Sequence, residues 1–155
     1  MLRVSARRRG ITENAIVESV LERFLTIDPI VQGFDYIGIG RETFASMLGM
    51  TNADGLEFVG AERGKKAYSL ARELFESNDL KLSFPQYVSE ILGEEARWFR
   101  TEGTFVKPER ITLQHGYGTK WTEFLKAYLS SAHEVVSRNK LEVTTAEDYV
   151  TVRFS

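Results

Sequence analysis

At 155 residues, with 43% apolar and 27% charged side chains, the chain suits one compact domain with a small appendage and is too hydrophobic for disorder. A formal net charge of −2 excludes a nucleic-acid polycation, so DNA affinity would have to come from a local patch, and residues 1–12 are the candidate. The chain has no cysteine, which excludes disulfides, thiol nucleophiles and cysteine-held metal clusters. It also has no apolar run of signal-peptide or membrane-spanning length, so the expectation is a soluble, cytoplasmic protein with no membrane partner.

The opening stretch RVSARRRG carries Arg3, Arg7, Arg8 and Arg9 and no acid. From Thr12 onward Ile16, Val17, Val20, Leu21, Phe24 and Leu25 fall on one wide helical stripe. Thr12 is placed to cap that helix, and Glu13 puts negative charge where the helix dipole favours it. DPIVQG, with Pro29 and Gly33, breaks the helix and is the best linker. It divides the chain into a helical element over 1–30 and a second domain over 34–155.

In the second domain FDYIGIG (34–40) alternates apolar and small residues and reads as a strand or extended segment, and RETFASMLG as a short helix ending at Gly49. Asp54 and Glu57 have capping-box spacing ahead of a helix over about 55–76. There Gly60, Gly64, Ala67 and Ala71 form a small-residue ridge that admits another backbone, either a packed helix or a dimer mate. Ser83 with Gln86 makes a second box, Pro85 suits a first turn, and Phe84, Tyr87, Val88, Ile91 and Leu92 keep α-helical spacing. The period then changes: RWFRTEGTFVKPERITLQHG reads as two strands joined near Lys107–Pro108, with Ile111, Leu113 and His115 on one face. Trp121, Phe124, Leu125, Tyr128, Leu129, Ala132, Val135 and Val136 define the strongest helix. LEVTT and YVTVRF close the chain as a hairpin around AED, with Val150, Val152 and Phe154 on its buried side. Helices followed by ββαββ predict an α+β fold, an N-terminal helical element and then helices packed on an antiparallel sheet.

Taken as one stretch, ARRRGITENAIVESVLERFL resembles the second half of ribbon–helix–helix DNA-binding domains of the MetJ/Arc type, over about residues 1–25. The resemblance implies that Ala6 to Arg9 end a first helix, Gly10 makes the turn, and Ile16, Val20, Leu21 and Phe24 build the core of a homodimer. It also implies DNA-phosphate contacts at the start of the second helix, from Thr12, Glu13 and Asn14, beside Arg7, Arg8 and Arg9. The family reads bases with a strand ahead of its first helix, which these residues do not include, so base-specific readout is not expected of them. In order of elements, the rest of the chain is similar to small-ligand sensing domains of the vinyl-reductase and TRAPP-subunit type. The run is GKKAYSLARELF, ILGEEARWF, a strand, the helix GTKWTEFLKAYLSSAHEVV and the closing hairpin. The Cys and His clusters of some such domains are missing.

LQHGYGTKW is the most chemical-looking stretch: His115 ends a strand, Gly116 and Gly118 flank Tyr117, and a helix starts near Thr119. Unpaired N–H groups there, helped by Lys120, are placed to hold a carboxylate or phosphate, although the P-loop spacing GxxxxGKS/T is absent. With Trp98 and Trp121 as pocket walls, the ligand-site candidates are Trp98, His115, Tyr117, Lys120 and Trp121, for a small apolar or anionic ligand. The structural alternatives, a hydrogen-bonded histidine, a tight glycine turn and an aromatic core, stay open and are the commoner uses of such residues. His115 and His133 are too sparse for a metal centre, and Ser130–Ser131 lack a nucleophile elbow. Glu94–Glu95 and Glu147–Asp148 read as solvated turns or helix ends. No metal, cofactor or catalytic residue is expected. The function read is a non-enzymatic, ligand- or partner-responsive transcriptional regulator; the alternative is a binding or scaffold domain that oligomerises through its first helix without DNA.

Overall fold

A glycine turn organises the first of the two compact units into which the chain divides, Met1–Asp35 and Tyr36–Ser155. The computed structural model describes residues 10–26, 38–102 and 110–154, with Arg3 and Ala6. Gly10 has φ 65°, in the left-handed region open to glycine, and the Ile11 N–H donates back to the Ala6 carbonyl at 3.1 Å. That six-residue closure is the Schellman bond that ends a helix, and Arg3 and Ala6 are both helical. Immediately after it, Thr12 Oγ1 accepts the Ala15 N–H at 3.1 Å and α1 (Glu13–Thr26) begins. Glu13 also meets Arg3 at 3.1 Å in an exposed ion pair. Of the apolar stripe of α1, Ile16 is half-buried while Val17, Val20 and Leu21 are exposed, Val20 by 59%. Arg7, Arg8, Arg9 and the side chains of Phe24 and Leu25 lie outside the described residues.

In the second unit, the start of the expected extended segment (34–37) lies outside the described residues, and 38–40 carry no strand. Helix α2 (Arg41–Met50) runs through Gly49, and Thr51 is its cap. Helix α3 (Ala53–Glu76) opens on Asn52, whose Oδ1 accepts the Gly55 N–H at 2.6 Å. The cap thus falls on Asn52 and not on Asp54: Asn52 has the extended backbone a cap needs, and Asp54 already lies in the first turn. Its far end closes in a second Schellman turn at left-handed Asp79, with the Leu80 N–H donating to Phe75 O at 3.0 Å.

The small-residue ridge of α3 faces a helix of the same unit, α5 (Gly118–His133). A Cβ at Gly60 would come within 2.6 Å of the Phe124 carbonyl oxygen, and one at Gly64 would overlap the Tyr128 carbonyl. Close approach lets the Ser131 hydroxyl donate to Ala61 O and accept the Lys65 N–H at 3.1 Å, serving both ends of one i to i−4 pair of α3. Of the two partners open to that ridge, the intrachain helix is the one present.

Between these helices Ser83 caps α4 (Phe84–Gln86), its Oγ accepting the Gln86 N–H at 3.3 Å, with Pro85 in the first turn. The chain then widens into a π-helix over Tyr87–Glu95, where α-helical spacing was expected; the Ala96 N–H donates to Ile91 O at 2.9 Å. Over nine residues the two periods diverge too little for the apolar pattern to separate them, and Tyr87, Val88, Ile91 and Leu92 are buried as expected.

Four strands complete the fold: β1 (Arg100–Glu102), β2 (Arg110–Gln114), β3 (Glu142–Ala146) and β4 (Tyr149–Arg153). They form one antiparallel sheet in the order β1-β2-β4-β3, with Leu113 opposite Val150 and Ile111 opposite Val152. These four side chains are buried in the core, while Thr112 and Thr151 on the other face share a hydroxyl hydrogen bond at 3.2 Å. The edges are blunted, β1 by its three-residue length and β3 by exposed Glu142, Thr144 and Thr145. Helix α5 packs on the sheet, and α3 packs on α5. It ends at His133, so Val135 and Val136 fall in the turn beyond and not on the helical stripe. The connection near Lys107–Pro108 lies outside the described residues. The architecture is α+β with the ββαββ order expected.

Candidate functional site

Strand alternation in β2 sends His115 inward after Leu113, and the chain must then reverse into α5. Gly116 (φ 73°) and Gly118 (φ 74°) take the left-handed conformations of that reversal on either side of Tyr117. The His115 side chain is fully buried. Its Nδ1 accepts the Tyr117 N–H at 3.0 Å, so the proton of the neutral ring sits on Nε2, which donates to Thr122 Oγ1 at 2.9 Å. The Thr122 hydroxyl donates onward to the Glu147 carbonyl at 2.8 Å. This relay ties the end of β2, the N-terminal part of α5 and the β3–β4 turn together, and it engages both ring nitrogens. Burial pushes the His115 pKa below its ordinary value, partly countered by the Asp148 carboxylate 3.8 Å from Nδ1. The ring is neutral at pH 7.

Two of the expected anion-binding features are used by the fold itself. The start of α5 is not open: the Gly118 N–H donates to Asp148 Oδ1 at 2.8 Å, so a carboxylate of the chain already sits there. Lys120 does not line the cleft described below. Its Nζ donates to the carbonyls of Leu48 (3.2 Å), Gly49 (3.0 Å) and Thr51 (2.6 Å), closing the end of α2, where unpaired carbonyls and the negative end of the dipole attract a cation. Trp121 belongs to the aromatic core. It is buried, stacks on Phe124 at 4.4 Å and meets Trp98 edge-on at 5.5 Å, and its Nε1 has no hydrogen-bond partner.

The other fastening of α2 is Arg41. Its Nη2 donates to the carbonyls of His115 and Gly116, both at 3.4 Å, and the guanidinium lies 5.2 Å from the centre of the Tyr117 ring. Phe44 packs edge-on against both Tyr117 (5.1 Å) and Trp121 (4.9 Å). Gly116 makes room for this seat: a Cβ there would lie 2.6 Å from Arg41 Nη2. Arg41 and Lys120 therefore clamp α2 across the β2–α5 turn from its two ends.

Beside the clamp opens a cleft of about 540 Å³. Residues 93–94, 97–100 and 114–117 line it together with Arg41. Three of the expected ligand residues line it, Trp98, His115 and Tyr117; Lys120 and Trp121 do not. His115 contributes only backbone to the lining, since its side chain is fully buried and both ring nitrogens are engaged. What sequence reasoning missed is the charge: Arg41, Arg97 and Arg100 converge here with Glu94. Arg97 is left-handed (φ 54°) where the π-helix ends, with the Trp98 N–H closing on Leu92 O at 3.0 Å. Glycine is the usual residue at such a helix end, and a non-glycine residue held there marks stored strain.

Comparison of the chain with protein-family models, with curated proteins and with solved structures gives no match. Among the described residues there is no group of three or more His, Asp or Glu side chains placed to hold a metal, and no helix long and apolar enough to cross a membrane.

Proposed function

We propose that the protein is a non-enzymatic, ligand-responsive transcriptional regulator. Two copies pair through α1, the N-terminal unit touches DNA phosphates through Arg7, Arg8, Arg9, Thr12 and Asn14, and the α+β unit takes a small ligand in its cleft. The observation that carries the reading is the state of α1. It is entered by a glycine turn and capped by Thr12, and it leaves Val17, Val20 and Leu21 in solvent. Isolated exposed apolar residues are ordinary, but three on one capped amphipathic helix are what a second copy would cover. Linkage supplies the mechanism: a ligand that binds one dimer geometry better shifts the dimer toward it, and DNA affinity follows. The cleft bears on this because Arg41 begins α2, the first described helix after α1 in the second unit.

A gel shift with the full chain at low salt tests the reading. Binding should weaken steeply with added salt, and Arg7→Ala with Arg8→Ala should weaken it equally on unrelated sequences. No shift at low salt overturns the DNA half. In sedimentation equilibrium, Val20→Glu with Leu21→Glu should give monomers; an unchanged dimer removes α1 from the interface. The second reading, a ligand-binding domain that oligomerises through α1 without DNA, is favoured by the Arg3–Glu13 pair, which neutralises one basic charge of the N-terminal segment.

A further inference from the structure

The geometry points to the cleft as a site for a small organic anion carrying at least two acidic groups, carboxylate or phosphate, held by Arg41, Arg97 and Arg100. The inference rests on reading this unit as the ligand-binding half of the regulator, and names the chemistry of its ligand. Four observations converge. The volume of about 540 Å³ suits a small molecule and not a nucleic-acid duplex. Three arginines and one carboxylate, Glu94, line that space, so the concavity is cationic within a chain of net charge −2. Among the described residues the side chains of Arg97 and Arg100 make no hydrogen bond or ion pair, and the Arg41 side chain holds only two long hydrogen bonds at 3.4 Å. Guanidinium forks left with unused donors match carboxylate and phosphate oxygens. Finally, the backbone around the charges is specialised: Arg97 is left-handed without being glycine, and Gly116 is left-handed with Arg41 where its Cβ would be.

Arg41 gives the site an output. An anion that draws its guanidinium off the His115 and Gly116 carbonyls loosens one of the two fastenings of α2, while Lys120 keeps the other. The ligand would then be read as a change at the start of α2.

The test is calorimetric titration of the full chain, at chloride low enough to leave the site open, with inorganic pyrophosphate in one arm and citrate in the other. Saturable binding of about one anion per chain is expected, and the preferred arm says whether phosphate or carboxylate is the natural group. Arg97→Gly with Arg100→Gln should weaken binding by about tenfold or more. Arg97→Gly alone should weaken it while the unliganded protein melts no lower, because glycine accepts the left-handed backbone. Arg153→Gln, at the opposite end of the sheet from Gln114, should bind as the parent does. Absence of binding in both arms overturns the proposal, as does binding that survives the double substitution or falls equally in Arg153→Gln. Binding without a gel shift keeps the anion site and removes only the DNA half of the regulator. A gel shift without anion binding does the reverse.

Discussion

Helices α1 and α5 carry similar apolar stripes and differ in what covers them. In α5, Trp121, Phe124, Leu125, Tyr128 and Leu129 are all buried, against the sheet on one side and α3 on the other. In α1, Val17, Val20 and Leu21 remain in solvent. The stripe states that a helix needs a partner; which partner depends on something outside the helix. For α5 that something is the pair Gly60 and Gly64, where the absence of side chains brings α3 within backbone contact. For α1 it is, on the reading proposed above, a second copy of the chain.

The strongest way to break this contrast is to cut both stripes. Leu129→Ala in α5 removes a fully buried side chain and should cost about 3 kcal/mol in urea unfolding. Leu21→Ala in α1 should leave the same transition within about 0.5 kcal/mol and, on the proposed reading, weaken self-association instead. Equal losses would mean that α1 is also core. Next in size, Gly64→Ala drives a methyl group into the Tyr128 carbonyl and should cost about 2 kcal/mol, whereas a substitution costing nothing would show that α3 and α5 can separate freely.

A pH series sharpens the comparison, because both histidines of the chain flank or lie in α5 and none lies in α1. Burial lowers the pKa of His115 and of His133, whose Nδ1 has no partner and whose shift the Asn139 backbone partly opposes. A folded pKa below the unfolded value of about 6.5 means that the unfolded chain takes up the proton first. The stability is therefore fully present above about pH 6.5 and is lost as pH falls toward the folded pKa values, with a slope of at most about 1.4 kcal/mol per pH unit for each ring. Urea midpoints at pH 7.5 and pH 5.5 check it. His133→Leu should flatten part of the slope, and a midpoint that rises on acidification contradicts the assignment. A smaller effect is expected of Arg97→Gly, which should stabilise the second unit by under about 1 kcal/mol by relieving the left-handed backbone. Asp79→Gly should gain less, since Asp tolerates that conformation better.

The contrast between local and distant information recurs through the molecule. The cap at Ser83, the turn at Gly10, the buried faces of β2 and β4 and the stripe of α5 were legible because each depends on neighbours a few residues away. Where several neighbours were competent, as with Asn52 and Asp54, only backbone geometry separated them. Asp148, read as a solvated turn, caps α5 from thirty positions away, and Lys120, read as an anion ligand, closes α2 from about seventy.

By itself, the sequence determined the elements, their order, the faces they bury and hence the α+β class, because period and capping are properties of adjacent residues. It also determined that nothing in the chain would be held by cysteine. Only the tertiary structure decided where charge gathers. Arg41, Arg97 and Arg100 share no motif and no spacing; they meet because α2 is clamped over the β2–α5 turn and because the π-helix ends at a left-handed arginine. A cleft is a relation among distant side chains, and distances of that kind exist only once the chain has folded.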